Sequence, residues 1–253
     1  MTDFRHSTAD LLAAMRQAQA TRDFDGAERI AEVICVREPA QEDAVGFLVG
    51  RALARTDALR ALNVARSGVQ ANPDSARLQF QHGLALGASG QIDAASQAFA
   101  LAHVRDPGLL VAPLWQADCE MALGRHDDAQ RCQLRALGIA ERHGLLARDA
   151  SLAPPVRERL ARALVAAQGA RRNAIEAKLA PLREASGAAS MARIDRALLH
   201  VYGGDAPIPA HPLQHPSLLF VPGLPDQAWF ERGQFPYLRE LEAATDTIRQ
   251  ELL

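Results

Sequence analysis

The chain has 253 residues, of which 48% are apolar, and a formal net charge of −2. Its length allows one large or two small domains, and a charge so close to zero produces no field that would attract nucleic acid or an anionic membrane. No apolar run of about 18 residues occurs, and the N-terminus lacks a basic region followed by an apolar stretch. We therefore expect no nucleic-acid partner, no membrane span and no signal peptide.

The composition favours helices and a reducing environment. Ala, Leu, Arg and Glu dominate, aromatic residues make up 5%, and long β-branched runs are nearly absent. We therefore expect an all-α fold whose core is built from Leu, Ala and Val. The chain has three cysteines, an odd number, and no C-x-x-C motif: Cys35, Cys119 and Cys132. This pattern favours buried free thiols and a cytoplasmic protein.

Landmark residues recur every 34 positions in the first part of the chain. Gly90 recurs as Gly124, and Ala102 recurs as Ala136. The longer series are prolines and alanines: Pro39, Pro73 and Pro107, and Ala27, Ala61, Ala95 and Ala129. A period of 34 with small residues at fixed places is typical of the tetratricopeptide repeat, in which each unit is a pair of helices. The alternative is an irregular helical bundle with accidental spacing.

Four repeats are predicted, covering about 8–41, 42–75, 75–107 and 110–143. In repeat one we expect Asp25 to cap the second helix. Repeat two has Thr56 and Asp57 at the turn where repeats three and four have glycine. In repeat four the second helix has no proline in phase and should run to about His143. The polar triplet at 126–128 falls at the turn before that helix, where we expect an Asp to cap it rather than to bind a metal.

The period is lost after the fourth repeat. Pro154 and Pro155 make a good helix start, and further helices are predicted up to a stop at Gly203. Four prolines at 205–216 exclude a helix there and predict an extended linker, so its two histidines cannot share a helical metal site. Five arginines on the helices lack interleaved aromatics and are interpreted as a solvated face: Arg157, Arg159, Arg162, Arg171 and Arg172.

The last segment differs in composition from the rest. We predict a strand at 218–221, a Pro-Gly turn, and an amphipathic helix from Leu238 to the last residue. A strand without a partner, followed by a helix that ends at its apolar face, indicates a larger domain cut short. Four aromatic side chains lie close together and are interpreted as the start of a new core: Trp229, Phe230, Phe235 and Tyr237.

Three stretches of this segment resemble a known family: PSLLFVPGLP, WFERGQFPYL and LEAATDTIRQEL. They are similar to the opening of the aspartyl/asparaginyl β-hydroxylase domain, and the helices at 153–202 look like the connector of bacterial members with N-terminal repeats. The resemblance implies an Fe(II)- and 2-oxoglutarate-dependent dioxygenase whose histidine ligands lie downstream. This chain has no histidine after His215. We therefore assign no catalytic residue and no metal ligand, and we expect no cofactor and no hydroxylation by this chain alone.

Together these features predict an all-α chain, a tetratricopeptide-repeat α-solenoid with a helical extension and a short C-terminal strand–turn–helix segment. The expected parts are a repeat array, a helical connector, a proline-rich linker and the truncated start of an oxygenase domain, at 1–144, 145–204, 205–215 and 216–253.

Arrays of this kind bind peptides or proteins on the concave face formed by their first helices. A clamp of Lys, Asn and Arg for a terminal carboxylate is not present there, so an apolar peptide or an intramolecular face fits better. Ordinary packing between repeats is the alternative for each position. The candidate peptide-binding residues, placed by register, are Arg16, Gln19, Phe80, Leu84, Leu114, Asp118 and Met121.

The sequence leaves two main hypotheses for function. The first is a protein- or peptide-binding module of a β-hydroxylase-like protein, in a chain that lacks the dioxygenase active site. The second is a free-standing tetratricopeptide scaffold whose C-terminal segment only caps the solenoid. A complete enzyme of unknown type is a third interpretation, although no nucleotide-binding, hydrolase or H-E-x-x-H motif occurs.

Overall fold

The computed structural model describes residues 7–145, 151–202 and 231–251. The chain forms two compact units, and the boundary between them falls at Arg171–Arg172. Within the described ranges every regular element is helical, and no helix has the length and apolar character needed to cross a bilayer.

Four helix pairs occupy residues 7–145, one for each predicted repeat. Each helix packs on its neighbours in the chain, and α3 also packs directly on α5, so the first helices of repeats two and three lie side by side. This arrangement confirms the predicted tetratricopeptide-type α-solenoid. The helices are α1 (Thr8–Ala20), α2 (Phe24–Arg37), α3 (Glu42–Ala54), α4 (Ala58–Ala71), α5 (Ala76–Ala88), α6 (Ile92–Arg105), α7 (Val111–Ala122) and α8 (His126–Arg142).

A column of alanines lets the two helices of each pair approach closely. These residues stand 34 apart at the same place on each second helix, and each is 0% exposed: Ala27, Ala61, Ala95 and Ala129. A larger side chain at these positions would hold the paired helices apart, because protein interiors are close-packed. The alanine spacing read from the sequence therefore marks the axis of the solenoid core.

One left-handed residue joins the helices of every repeat. Arg22, Thr56, Gly90 and Gly124 have φ values of 60°, 56°, 79° and 74° and are again spaced by 34. In repeat two the Thr56 amide donates to the Leu53 carbonyl at 3.0 Å, and the next amide donates to the Ala52 carbonyl at 2.9 Å. The other three repeats have the same pair of bonds, which is the Schellman ending of a helix.

Two of the cap predictions are wrong. The N-cap of α2 is Asp23, whose carboxylate accepts from the Gly26 amide at 2.9 Å, and not Asp25. The N-cap of α8 is Arg125, without a side-chain cap bond, so the triplet at 126–128 lies inside the first helical turn. The left-handed residue places the cap immediately after itself, which shifts both caps toward the N-terminus of the predicted positions.

The junctions between repeats use different chemistry at one register. On the second helices this position is occupied by Glu28, Leu62 and Ser96, spaced by 34. Glu28 contacts Arg51, Arg55 and Arg60 at 3.3, 2.9 and 2.8 Å. Leu62 belongs to an apolar core cluster, and the Ser96 hydroxyl donates to the buried Glu120 carboxylate. The side chain at this position therefore has a different set of partners at each junction.

After α8 the chain continues into a long helix, α9 (Pro154–Ser186), which begins at the predicted proline pair and contains Pro181. Leu160 and Ala163 are each 1% exposed, and Leu160 packs in a core cluster with Leu114 and Ile139. The first turns of α9 therefore extend the solenoid core beyond the fourth repeat.

The second unit contains the end of α9 and α10 (Ala188–Val201), joined at Gly187 with a φ of 78°. Arg183 pairs with Glu176 on its own helix and with Asp195 on α10. The Tyr202 hydroxyl donates to Glu176 at 2.8 Å, and the Arg172 guanidinium lies 5.2 Å from the Tyr202 ring. Polar contacts thus tie the two helices together.

Residues 231–251 form a 3-10 turn at Arg232–Gln234 and two short helices, α11 (Leu238–Ala243) and α12 (Thr245–Glu251). The predicted single helix is interrupted at Ala244, where the Thr245 hydroxyl donates to the Glu242 carbonyl at 2.7 Å and competes with the backbone. The predicted strand at 218–221 and two of the four clustered aromatics lie outside the described residues.

The left-handed position predicts a stabilising substitution. Thr56 is β-branched and adopts a conformation that disfavours non-glycine residues by about 1–2 kcal/mol. Thr56→Gly should raise the free energy of unfolding by about 0.5–1 kcal/mol, because the relief exceeds the entropy that glycine loses on folding. Gly90→Ala, at the equivalent position one repeat later, should lower it by about 1 kcal/mol. Both changes can be measured by urea unfolding followed by circular dichroism. A shift in the same direction for the two substitutions would contradict the assignment.

The buried carboxylate at the first junction predicts a pH dependence. Burial raises the pKa of Glu28, but the Arg51 hydrogen bond and the charges of Arg55 and Arg60 outweigh it and hold the pKa below the ordinary value of a glutamate. The carboxylate therefore stabilises the fold at pH values above its unfolded pKa, and this stabilisation disappears as the pH falls through the folded pKa.

Glu28→Gln should lower the free energy of unfolding by about 2 kcal/mol at neutral pH, because it removes the charge of the buried carboxylate that contacts Arg51, Arg55 and Arg60. This difference from the wild type should shrink as the pH is lowered through the folded pKa of Glu28, because the carboxylate is then itself protonated. Glu32→Gln is the matched control, since the Glu32 side chain is 53% exposed and, among the described residues, forms an ion pair with Arg60 alone. It should change stability by less than about 0.5 kcal/mol. A difference that stays the same as the pH is lowered would contradict the assignment.

Candidate functional site

A groove of about 270 Å³ lies between α5 and α7, two first helices of the solenoid. Its lining comes from four helices and is mostly apolar, with one carboxylate and one guanidinium. We call it the α5–α7 groove, and it is lined by Gly83, Leu84, Gly87, Ala88, Ile92, Phe99, Trp115, Asp118, Cys119, Ala122 and Arg159.

Missing side chains create the depth of the groove. A Cβ atom on Gly83 would lie 2.5 Å from the Phe99 ring, so glycine here lets the ring pack directly against the backbone of α5. A Cβ atom on Gly87 would meet only the Ala95 methyl, at 3.8 Å, and therefore has room. Gly83 is required by packing, whereas Gly87 leaves space that none of the described residues fills.

Three aromatic rings support the groove. Phe80 stacks obliquely on Phe99 with ring centroids 5.5 Å apart, and its edge meets Trp115 at 5.6 Å in a T-shaped arrangement. Phe99 is 2% exposed, and the other two rings are half-buried. Aromatic pairs in these geometries contribute more than the burial of their area alone, so the rings hold α5, α6 and α7 in a defined arrangement.

A cation from α9 covers one edge of this aromatic cluster. The Arg159 guanidinium lies 3.9 Å from the Trp115 ring centroid and donates through Nε to Asp118 Oδ2 at 2.7 Å. Arg162, one turn further along α9, donates to the other oxygen of Asp118 at 3.1 Å. Helix α9, which follows the four repeats, therefore contributes directly to the groove.

The groove is suited to binding and not to covalent chemistry. Burial raises the pKa of the Cys119 thiol to about 11, and the Asp118 and Glu120 carboxylates reinforce the shift. The thiol is therefore neutral at physiological pH and a poor nucleophile. In the described part of the chain, no three side chains from His, Cys, Asp and Glu converge in a way that could hold a metal ion.

The seven residues predicted from register fall into different environments. Leu84 and Asp118 line the α5–α7 groove, and Phe80 belongs to the aromatic cluster beneath it. Leu114 is 1% exposed and belongs to the core cluster around Leu160, so it is not accessible to a ligand. Met121 is 49% exposed but does not line the groove.

The other two predicted residues lie on α1, two repeats away. Gln19 is half-buried, and the exposed Arg16 donates to Asp43 on α3 at 2.6 Å. Asp43 also lines a second hollow of about 310 Å³ between α3 and α5, together with Phe80, Arg77 and other residues. The structure does not bring Arg16 and Gln19 together with the groove.

Sequence reasoning missed Trp115, Gly87 and Arg159 as parts of one site. Trp115 is one of only two tryptophans in an aromatic-poor chain, which was an available signal. Arg159 was interpreted as part of a solvated basic face, and this interpretation is wrong for it, because its side chain is only 23% exposed. Its position beside Trp115 depends on how α9 packs after the repeat period has ended.

No protein-family model matches the sequence, and no curated protein matches it. The chain is similar in structure to MamA from Desulfovibrio magneticus RS-1, with 17% identity over 55% of this chain and 78% of that chain and a TM-score of 0.47. It is similar to MamA AMB-1 with 20% identity over 53% of this chain and 74% of that chain and a TM-score of 0.44. YrrB, described as a TPR protein with an unusual peptide-binding site, has 19% identity over 55% of this chain and 71% of that chain and a TM-score of 0.45. These values do not bear on what this chain binds.

The two groove glycines predict opposite responses to the same substitution. Gly83→Ala should lower the free energy of unfolding by about 1–3 kcal/mol, because the new methyl group overlaps the buried Phe99 ring. Gly87→Ala should leave it unchanged or raise it by up to about 1 kcal/mol, because alanine is the better helix former and has room. Urea denaturation of the two variants tests the pair, and an equal loss at both positions would contradict the groove geometry.

Proposed function

We propose that this chain is a peptide-binding module that holds one apolar side chain of a protein partner in the α5–α7 groove. The main observation in support is an open, mostly apolar hollow of about 270 Å³ on two first helices of the solenoid. Small-molecule and cofactor sites are commonly about 300–1,000 Å³ in volume and enclose most of the ligand. A groove below that range fits a single side chain better than a cofactor.

Rigid surroundings support this proposal. The Schellman turns define each helix pair, and the aromatic cluster fixes α5, α6 and α7 around the groove. A preformed site loses little conformational freedom when the ligand binds, and this is how a small apolar contact can contribute measurable affinity. Gly87 also lets a peptide approach the backbone of α5 closely.

A connection to β-hydroxylase-like oxygenases depends on sequence resemblance alone, mostly that of residues 216–253. In that version of the proposal the repeats present a protein substrate to an oxygenase domain; in the other version they act as a free-standing scaffold. The same groove serves both. The described residues do not offer a metal-binding cluster that fits a non-haem iron site, so no step of oxygenase chemistry is derived for this chain.

The proposal predicts that a side chain added at Gly87 blocks binding without unfolding the protein. Gly87→Leu should fill the space that a ligand side chain would occupy, while keeping or raising helix stability. The starting point is a random dodecapeptide phage library selected on the purified chain, with enriched peptides resynthesised and titrated. We expect each enriched peptide to contain a required apolar residue and to lose about tenfold or more in affinity for Gly87→Leu.

Tryptophan fluorescence can report binding in this titration. Trp115 lines it, and a Trp229→Phe background leaves Trp115 as the sole tryptophan, so bound peptide should change its fluorescence. Gly138→Leu is the matched control, because Gly138 lies on the second helix α8 and an added Cβ meets only the end of the Arg142 side chain at 3.8 Å. Peptides that bind Gly87→Leu as tightly as Gly138→Leu would rule out the groove, and a library without enriched peptides would rule out the function.

A further inference from the structure

We infer that the peptide bound in the α5–α7 groove carries an acidic side chain next to its apolar anchor, and that Arg162 receives that carboxylate. This inference rests on the proposed function and specifies the class of partner. It follows from the charges at the α9 edge of the groove, where an arginine lies beside an apolar hollow and has donors left to offer.

Two guanidinium groups share one carboxylate at this edge. Arg159 and Arg162 both donate to Asp118, one to each oxygen. Among the described residues that line the groove, Asp118 is the only carboxylate. Two positive charges and one negative charge leave one formal positive charge at the edge of the groove, which favours an anionic group on the ligand.

The two arginines have different roles. The Arg159 side chain is 23% exposed, and it stacks on Trp115, bonds Asp118 and donates to the Pro155 carbonyl at 3.1 Å. The Arg162 side chain is 58% exposed and contacts Asp118 through a single nitrogen. Because a guanidinium carries five N–H donors, Arg162 retains donors that face solvent and can bind a carboxylate through two parallel bonds.

A carboxylate within the peptide fits better than one at its C-terminus. Phe80 and Leu84 are four residues apart on α5, so they lie on the same face of that helix. Leu84 lines the groove, and Phe80 lines the neighbouring hollow between α3 and α5. The two hollows therefore follow one another along the first helices, and a peptide with its anchor in the groove has a path onward. Its acidic group is then an Asp or Glu side chain.

The test uses amidated decapeptides with a central Leu or Phe and with Glu, Gln or Lys at each neighbouring position in turn. A second set ends in a free carboxylate directly after the anchor. Binding is measured by Trp115 fluorescence in the Trp229→Phe background. We expect the best Glu peptide to bind about fivefold tighter than its Gln counterpart at low salt. The difference should shrink in about 0.5 M NaCl, where exposed charges are screened.

Two variants assign the preference to Arg162. Arg162→Gln should bind Glu and Gln peptides equally while still requiring the apolar anchor, and Arg162→Glu should prefer the Lys peptide. Both variants should stay folded, because Asp118 keeps Arg159 as its partner at 2.7 Å. Arg171→Gln is the control, since it removes an exposed arginine about 13 Å further along the same helix and should leave the Glu preference intact.

The possible results separate this inference from the proposed function. Equal binding of Glu and Gln peptides that is still blocked by Gly87→Leu would overturn the acidic partner and leave the groove function standing. Tight binding confined to the free-carboxylate set would overturn the assignment to a side chain within the peptide. A Glu preference that survives Arg162→Gln would overturn the role of Arg162. If no peptide of any set bound, both the inference and the proposed function would be wrong.

Discussion

Close approach of paired helices is the constraint on which this solenoid depends. It is achieved by small residues at recurring positions, above all the fully buried alanines Ala27, Ala61, Ala95 and Ala129. With so few aromatic side chains, the core gains stability from many short-range contacts between backbone-near atoms rather than from a few large residues. The left-handed residue at each turn then sets the direction in which the second helix returns.

The turns show how repeats of one geometry use different local solutions. Repeats one and two place Arg22 and Thr56 in the left-handed conformation and follow them with a capping aspartate. Repeats three and four place glycine there, and their second helices begin without a side-chain cap. The capping aspartates stabilise this turn in repeats one and two. Glycine, which adopts the left-handed conformation without strain, stabilises a turn of the same shape in repeats three and four.

The α5–α7 groove arises where the regular packing is interrupted. Gly83 admits the Phe99 ring, Gly87 leaves a space unfilled, and Trp115 introduces a large ring on the neighbouring first helix. Arg159 and Asp118 then place charge at one edge of an apolar surface. An apolar hollow with a charged edge can discriminate between ligands. It favours a ligand that has an apolar side chain to bury and an oppositely charged side chain next to it.

Periodicity by itself determined the helix pairs and their turns, because both follow from local features that recur in the chain. Small residues at a spacing of 34 marked the packed face, and glycine or Asp marked the turns. The same local reasoning found the start of α9 at Pro154, because proline is favoured in the first helical turn. It misplaced two caps by about two residues. The left-handed position before α2 was not evident because Arg22 occupies it, and the N-cap of α8 is Arg125, which is not a residue type that normally caps a helix.

Only the tertiary structure decided which inner-face residues form a site. Leu84 and Asp118 line the groove, while Leu114, equally placed by register, is buried against Leu160 of a helix outside the repeat. Register assigns a residue to a face of its own helix, but accessibility depends on what the next helix covers. Arg159 and Trp115 are 44 positions apart and meet only because α9 packs there without the period that would have revealed it.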